Sequence, residues 1–386
     1  MSPKKVVVVQ TTLRQYRVPF YERLRAHLLE REVRLVVGHG EPDSREKTKG
    51  DATTLDWAVR IPTRYVHVGP RSLVLQSPGR LLDDAALVIV EQASRNLLNH
   101  ILFLQNALGR RHLAFWGHGR NLQQHNVSRF GEFVKRTMTT RVHWWFAYND
   151  LSARIVRDLG YPASRITVVN NAIDTTALVE QRNALTEGDV RRVRDEVGIR
   201  GDSVCVFVGS LYRGKLLPFL VDACDLIKAR VPGFELVVIG GGPELPWLRE
   251  VASVRPWLHA VGPKFDEQKA RYFADAKLVL IPGSVGLGIM DAFAIRAPLV
   301  TTDVPGHGPE IEYLDSGVNG ILVHDHEDPA TYARVVSELL ENERERARLV
   351  QGCIEAAEHY TIDNMSHRFA EGIAQALHAT HLGKQA

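Results

Sequence analysis

The stretch that most constrains how this chain can fold is Leu278-Val-Leu-Ile-Pro-Gly-Ser-Val-Gly-Leu-Gly-Ile-Met-Asp-Ala-Phe-Ala-Ile-Arg-Ala-Pro-Leu-Val300. A short apolar run leads into a loop holding Gly283, Gly286 and Gly288. A helical segment with Asp291 and Phe293 follows, and Pro298 opens a second apolar run. Strand, glycine loop, helix and strand make one parallel βαβ unit. A parallel sheet needs helices over both faces, so the unit commits its surroundings to a doubly wound α/β layer. Glycines at such a junction let backbone N–H groups approach an anion, and a carboxylate one turn into the helix accepts from sugar hydroxyls. Many α/β proteins carry such a turn without a ligand, so the rest of the chain has to decide.

The same alternation runs along the whole sequence. Strands are predicted at 5–10, 33–37, 86–90, 112–116, 142–147 and 166–169, with helices at 18–30, 94–108 and 151–159. Residues 40–56 read as a long mobile loop, and 170–188 as turn chemistry and an interdomain connection. A second alternating run has strands at 204–208, 235–239, 258–261, 278–281, 299–302 and 320–323, with a helix at 216–230. Residues 328–379 are nearly all helical, with no strand to pair. A chain of 386 residues is long enough for two cores. The expected fold is therefore α/β, two doubly wound Rossmann-like domains facing a central cleft, with C-terminal helices crossing back to the first domain. The boundaries fall at 1–175, 176–365 and 366–386, the last a helix packing back on the first domain. Ligands of such folds sit at the carboxyl edges of the sheets.

Charge divides the same way. Residues 1–180 hold 26 Lys and Arg against 16 Asp and Glu; residues 181–386 hold 22 against 29. A basic first half fits an anionic membrane surface, a phosphorylated acceptor or the acidic half itself. Its arginines are dispersed rather than gathered into a tract, which argues against nucleic acid. No apolar run approaches a membrane span, and the three scattered cysteines (Cys205, Cys224, Cys353) suit reduced, buried thiols. The reading is a cytoplasmic protein, with peripheral contact at the inner face of the cell membrane as an option.

Candidate chemistry gathers at strand ends. Gly209-Ser210-Leu-Tyr-Arg213-Gly-Lys215 follows a strand and precedes a helix, and two cations beside glycines there suit a diphosphate. Taken alone, Arg213 and Lys215 read equally as exposed loop residues. Gly240-Gly241-Gly242-Pro243 is a second strand-to-helix turn, and the 283–288 loop a third. His118, between Gly117 and Gly119, ends a strand of the first half, where it reaches a ligand or serves as a structural histidine. Glu310 and Glu312 follow another strand, at a site's rim or as residues of a helix's first turn. His324-Asp-His-Glu-Asp328 looks like metal ligands but lacks a partner cluster, so no metal is expected.

Together these motifs, with Gly317-Val-Asn-Gly320 and the linker strand Ile166-Thr-Val-Val-Asn-Asn-Ala-Ile-Asp174, resemble the retaining glycosyltransferases of family 4, which have the GT-B architecture. The likeness covers about residues 150–345 well. It is looser in the first half, through Gln15-Tyr-Arg-Val-Pro-Phe-Tyr21 and Trp116-Gly-His118-Gly. The resemblance implies a nucleotide-diphospho-sugar as co-substrate, UDP favoured over GDP, with no cofactor and no metal. It makes Lys215 the phosphate lysine, with Arg213 supplying the charge of an arginine that is Ser210 here. Asp291 falls on the family's ribose carboxylate. The family's first carboxylate falls on Gly283, a departure that leaves sugar and phosphate to the backbone of Val285, Gly286 and Leu287. Gly209, Ser210, Gly241, Glu310 and Glu312 complete the implied donor site. His118 would contact the sugar, and Arg14, Tyr16 and Arg17 would meet the hydroxyl acceptor, a lipid-linked or cell-envelope glycan. A nucleotide-sugar epimerase and a catalytically silent binding partner are the alternatives.

Overall fold

The computed structural model describes residues 3–43, 52–68, 71–119, 137–264 and 266–382. The chain divides into two compact units: Met1–Asp174 with Ile362–Ala386, and Thr175–Thr361. Each is built on a parallel sheet and is described by itself.

In the first unit, seven strands run in the order β3-β2-β1-β6-β7-β8-β9. They are β1 (Lys4–Gln10), β2 (Val33–His39), β3 (Val59–Arg60), β6 (Ala85–Glu91), β7 (Leu113–Gly117), β8 (Trp144–Ala147) and β9 (Ile166–Val168). The continuous apolar runs are those of strands covered on both faces: Val6, Val7 and Val8 are fully buried. A hairpin of β4 (Thr63–Val68) and β5 (Arg71–Gln76) stands outside this sheet, paired antiparallel from Thr63↔Gln76 to Val68↔Arg71. The sequence reading missed it. Helix Ile362–Leu382 belongs to this unit. Its Phe369 is fully buried and stacks on Phe146 of β8 with centroids 4.2 Å apart, while Arg23 pairs with Asp363 at 2.7 Å.

The second unit has six strands in the order β12-β11-β10-β13-β14-β15. They are β10 (Ser203–Val208), β11 (Phe234–Ile239), β12 (Leu258–Gly262), β13 (Leu278–Leu280), β14 (Leu299–Thr302) and β15 (Gly320–Val323). Strand order reverses between β10 and β13, the place where doubly wound sheets open a crevice at their carboxyl edge. The polar stretch read as a connection is helical: Thr176–Ala184, then Glu187–Val197. Thr186 starts the second of these helices with a capping box, accepting from the Asp189 N–H while Asp189 accepts from the Thr186 N–H. The helical stretch 328–379 is divided: Pro329–Glu341 and Glu343–His359 lie in this unit, and Ile362–Leu382 in the other.

The expected loop at 40–56 lies partly outside the described residues, and its flanks at Glu41 and Leu55 are irregular.

Candidate active site

Four neighbouring strands of the second unit release four loops at one sheet edge, and hydrogen bonds chain these loops together. After β10, the Leu211 N–H donates to Gly241 O (2.9 Å) and Glu244 N–H to Leu211 O (3.1 Å), fastening the loops after β10 and β11. Only glycine fits at this seam, because a Cβ at Gly240 would overlap the Gly209 carbonyl oxygen. The Ser284 N–H donates to Gly214 O (2.8 Å), which ties the loop after β13 to the loop after β10. The loop after β14 joins through Gly308 N–H to Val285 O (3.1 Å) and Thr302 Oγ1 to Pro282 O (2.7 Å).

Lys215 lies within this chain of loops, in a short 3-10 turn, Arg213–Lys215, ahead of helix Leu217–Arg230. It is only 7% exposed, so the exposed-loop reading fails for it. Its ammonium donates to Ser284 O, and Gly209 (φ 141°) leaves room beside it, a Cβ there lying 3.8 Å from Nζ. Burial pulls its pKa from 10.5 down to about 8, against the opposing pull of Glu310. Leu216, next in the chain, holds a left-handed conformation (φ 54°, ψ 45°) that a branched apolar residue adopts only under constraint. Arg213 and Ser210 are exposed.

Gly283 is packed on the backbone of Lys215. A Cβ would lie 2.7 Å from Lys215 Cα and 2.5 Å from its carbonyl carbon, and nearer still to Gly214 O. No side chain fits there, which accounts physically for a glycine where the resembled family has a carboxylate.

The Val285 amide, expected to face a ligand, is committed within the protein: it donates to His307 Nδ1 at 3.0 Å. The amides of Gly286 and Leu287 donate to no acceptor among the described residues. Asp291 sits in the first turn of helix Gly288–Ala294 and is 6% exposed. Its Oδ2 pairs with Lys269 Nζ at 2.6 Å, a partner on helix Asp266–Phe273 that sequence reasoning did not bring forward. Glu310 and Glu312 part company. Glu310 is buried near Lys215, whereas Glu312 is exposed and lines a separate depression of about 500 Å³ with Tyr313, Asn319, His359 and Tyr360.

At the carboxyl edge of the first unit, His118 follows β7 directly and is kept neutral, its pKa lowered to about 4 by burial and then by Arg17. Its ring meets that of Tyr148 edge-on at 4.1 Å, and Nδ1 has no hydrogen-bond partner among the described residues. Gly119 (φ 75°) makes the turn possible, its N–H donating to Gln92 Oε1 at 2.9 Å. Arg17 is 4% exposed and stacks over Trp116, 4.4 Å from the ring centroid. It lies 5.1 Å from the ring of exposed Tyr16, and Arg14 is half-buried. Burial raises the pKa of Glu91 nearby, against the opposing pull of its bond from Thr11 and of Arg17. The burial of Arg17 had no signal in the sequence.

The comparisons with known proteins fit this geometry. Residues 202–342 match the family described as glycosyl transferases group 1. Among curated relatives, the D-inositol 3-phosphate glycosyltransferase of Xylanimonas cellulosilytica is 30% identical over 237 residues, covering 58% of this chain and 54% of that protein. That of Thermomonospora curvata is 26% identical over 249 residues, 60% and 57% of the two chains. The chain thus spans about half the length of the curated relatives it matches. Among solved structures, HepE of Anabaena in complex with UDP superposes with TM-score 0.69 at 16% identity, over 96% of this chain and 99% of that one. A glycosyltransferase from Rickettsia africae gives 0.72 at 10% identity, over 98% and 99%. The chain has the GT-B glycosyltransferase fold, two Rossmann-like units of parallel sheet and helices. Its second unit carries the glycosyl transferases group 1 segment.

Among the described residues, no helix is long and apolar enough to cross a membrane, and no group of three or more His, Cys, Asp or Glu is placed to hold a metal.

Proposed function

We propose that this chain is a retaining glycosyltransferase that moves a sugar from a nucleotide-diphospho-sugar to a hydroxyl acceptor, the second unit holding the donor and the first the acceptor. The observation that carries this reading is Lys215, a buried ammonium at the reversal point of a doubly wound sheet, beside glycine loops. Breaking the anomeric C–O bond builds negative charge on the β-phosphate and oxocarbenium character on the sugar. A cation already desolvated acts on that charge more strongly than one in water and needs no reorganisation. Arg213 adds charge from its exposed position, and the Gly286 and Leu287 amides donate to the phosphate or sugar. The Asp291 oxygen not paired with Lys269 accepts from the ribose. The leaving phosphate takes the acceptor proton on the face it departs from, so the configuration is retained. These cations do the work of a metal. Neutral His118 hydrogen-bonds the sugar, while Arg14, Tyr16 and Arg17 receive the acceptor. UDP as the nucleotide is supported by the UDP and UDP-glucose complexes of HepE, a protein of the same fold. A lipid-linked or cell-envelope glycan acceptor, met at an anionic membrane surface, fits the basic first half.

The test is incubation with a panel of UDP- and GDP-sugars. Slow donor hydrolysis is expected. An altered sugar without hydrolysis means an epimerase, and a failure to bind any nucleoside diphosphate sinks the donor site.

Two substitutions separate the roles. Asp291→Ala is expected to weaken the free nucleoside diphosphate about tenfold or more in calorimetry, as befits the loss of hydrogen bonds to a charged group. His118→Ala is expected to lower turnover while leaving that affinity within about threefold, and equal losses in both would remove it from the sugar.

A further inference from the structure

The loop that lacks the family's first carboxylate is held by a residue not assigned above to any role in the reaction. His307 spans from the loop after β14 to the loop after β13, accepting from the Val285 N–H at Nδ1 (3.0 Å) and donating from Nε2 to Thr302 O (2.7 Å). The Val285 bond needs a bare Nδ1, whereas the Thr302 bond needs only hydrogen on Nε2, which the protonated ring also carries. Three more contacts run in parallel: Gly308 N–H to Val285 O, Thr302 Oγ1 to Pro282 O, and Ser284 Oγ to Gly306 O. Of the five, only the bond from Val285 to His307 can be undone by a proton.

We infer that His307 is the positioning residue of the donor loop, holding residues 283–288 in the form that binds the diphosphate and releasing them when its ring is protonated. The inference rests on the donor-site reading above. A protonated ring carries hydrogen on Nδ1, so it cannot accept from Val285, and two N–H groups are left facing one another.

The charged groups around the ring set when this happens. Lys215, from the loop after β10, disfavours the imidazolium, and Asp303, at the end of β14, favours it. Glu310 lies against the Gly308 backbone, 2.7 Å from where a Cβ would stand. Burial is the largest influence, and the net effect is a pKa below the ordinary 6.5, so the loop is held at neutral pH and freed on the acid side.

The experiment compares wild type, His307→Gln and His307→Ala. Glutamine presents an acceptor and a donor that do not titrate. Affinities for UDP and GDP are measured by calorimetry between about pH 7.5 and pH 5. Each nucleotide's own phosphate titration, near pH 6, is common to all three proteins and cancels in the comparison. Wild type is expected to lose about tenfold more affinity than His307→Gln over that range, and His307→Ala to be about tenfold weaker at the neutral end. Parallel pH curves for wild type and His307→Gln overturn the inference, and they decide the matter if His307→Ala does not fold. Hydrogen exchange over residues 283–288 in the free protein gives a reading independent of any nucleotide. Protection in wild type should fall on acidification relative to His307→Gln, and equal protection at both ends overturns the inference. If neither nucleotide binds wild type at any pH, the donor-site reading fails, and the exchange measurement still judges His307.

Discussion

Lys215→Met is expected to lower turnover at least about a hundredfold and to erase one step from the dependence of stability on pH. The first effect follows from removing the buried cation proposed to meet the β-phosphate. The second follows from its displaced ionisation. The folded-state pKa is about 8, against 10.5 for the free side chain. Between those values the unfolded chain binds more protons than the folded one, so wild-type stability rises with pH across that window. The difference is worth about 3 kcal/mol. Below about pH 8 the folded protein carries the burden of a buried charge, which methionine removes while leaving Ser284 O without its donor. Other groups, the three buried thiols among them, titrate alike in both proteins, so in denaturant melts from about pH 7 to pH 10.5 the stability of wild type relative to the variant is expected to climb. Parallel curves for the two would mean that Lys215 is not held as described. Full activity in the variant would remove it from the site.

Gly283→Glu is expected to do harm where the family resemblance would suggest repair. The obstacle is not the carboxylate but the first carbon of any side chain, which lands on the Lys215 backbone and the Gly214 carbonyl. Backbone cannot swing aside as a flexible side chain can, so even Gly283→Ala is expected to cost about 3 kcal/mol or more, or to push the two loops apart. Both variants should lose donor hydrolysis about as fully as Lys215→Met, because the loop they displace is the one Lys215 is fastened to. An alanine variant with wild-type melting temperature and activity would show that the loops do not pack this closely.

These two positions also mark how far the sequence could be read. The βαβ unit, the two sheets and the loop cations were legible, because alternating apolar runs and glycines at strand ends are local signals. The burial of Lys215 was not, since it depends on a glycine 68 positions away making space for it. Pairing of Lys269 with Asp291 and of His307 with Val285 is likewise invisible in spacing, because each joins separate elements of the fold. Glu310 and Glu312 look equivalent in the sequence, yet two steps along a 3-10 turn send one inward and one to solvent. The stretch to Gly188 read as a connection because its polarity masked helix Thr176–Ala184 and the start of the capped helix Glu187–Val197, which bury only Leu178 and Val193 respectively.

The return of the last helix to the first unit fixes an order of completion. Residues 175–361 are one uninterrupted segment, whereas the other unit needs Phe369 to close the aromatic stack with Phe146, Trp116 and Phe20. During synthesis the amino-terminal sheet is made first yet is left with an open apolar face until residues 362–382 leave the ribosome. The later-made second unit has every piece it needs before that. A chain stalled or clipped near residue 361 would therefore present a finished second unit attached to an unfinished, aggregation-prone first one.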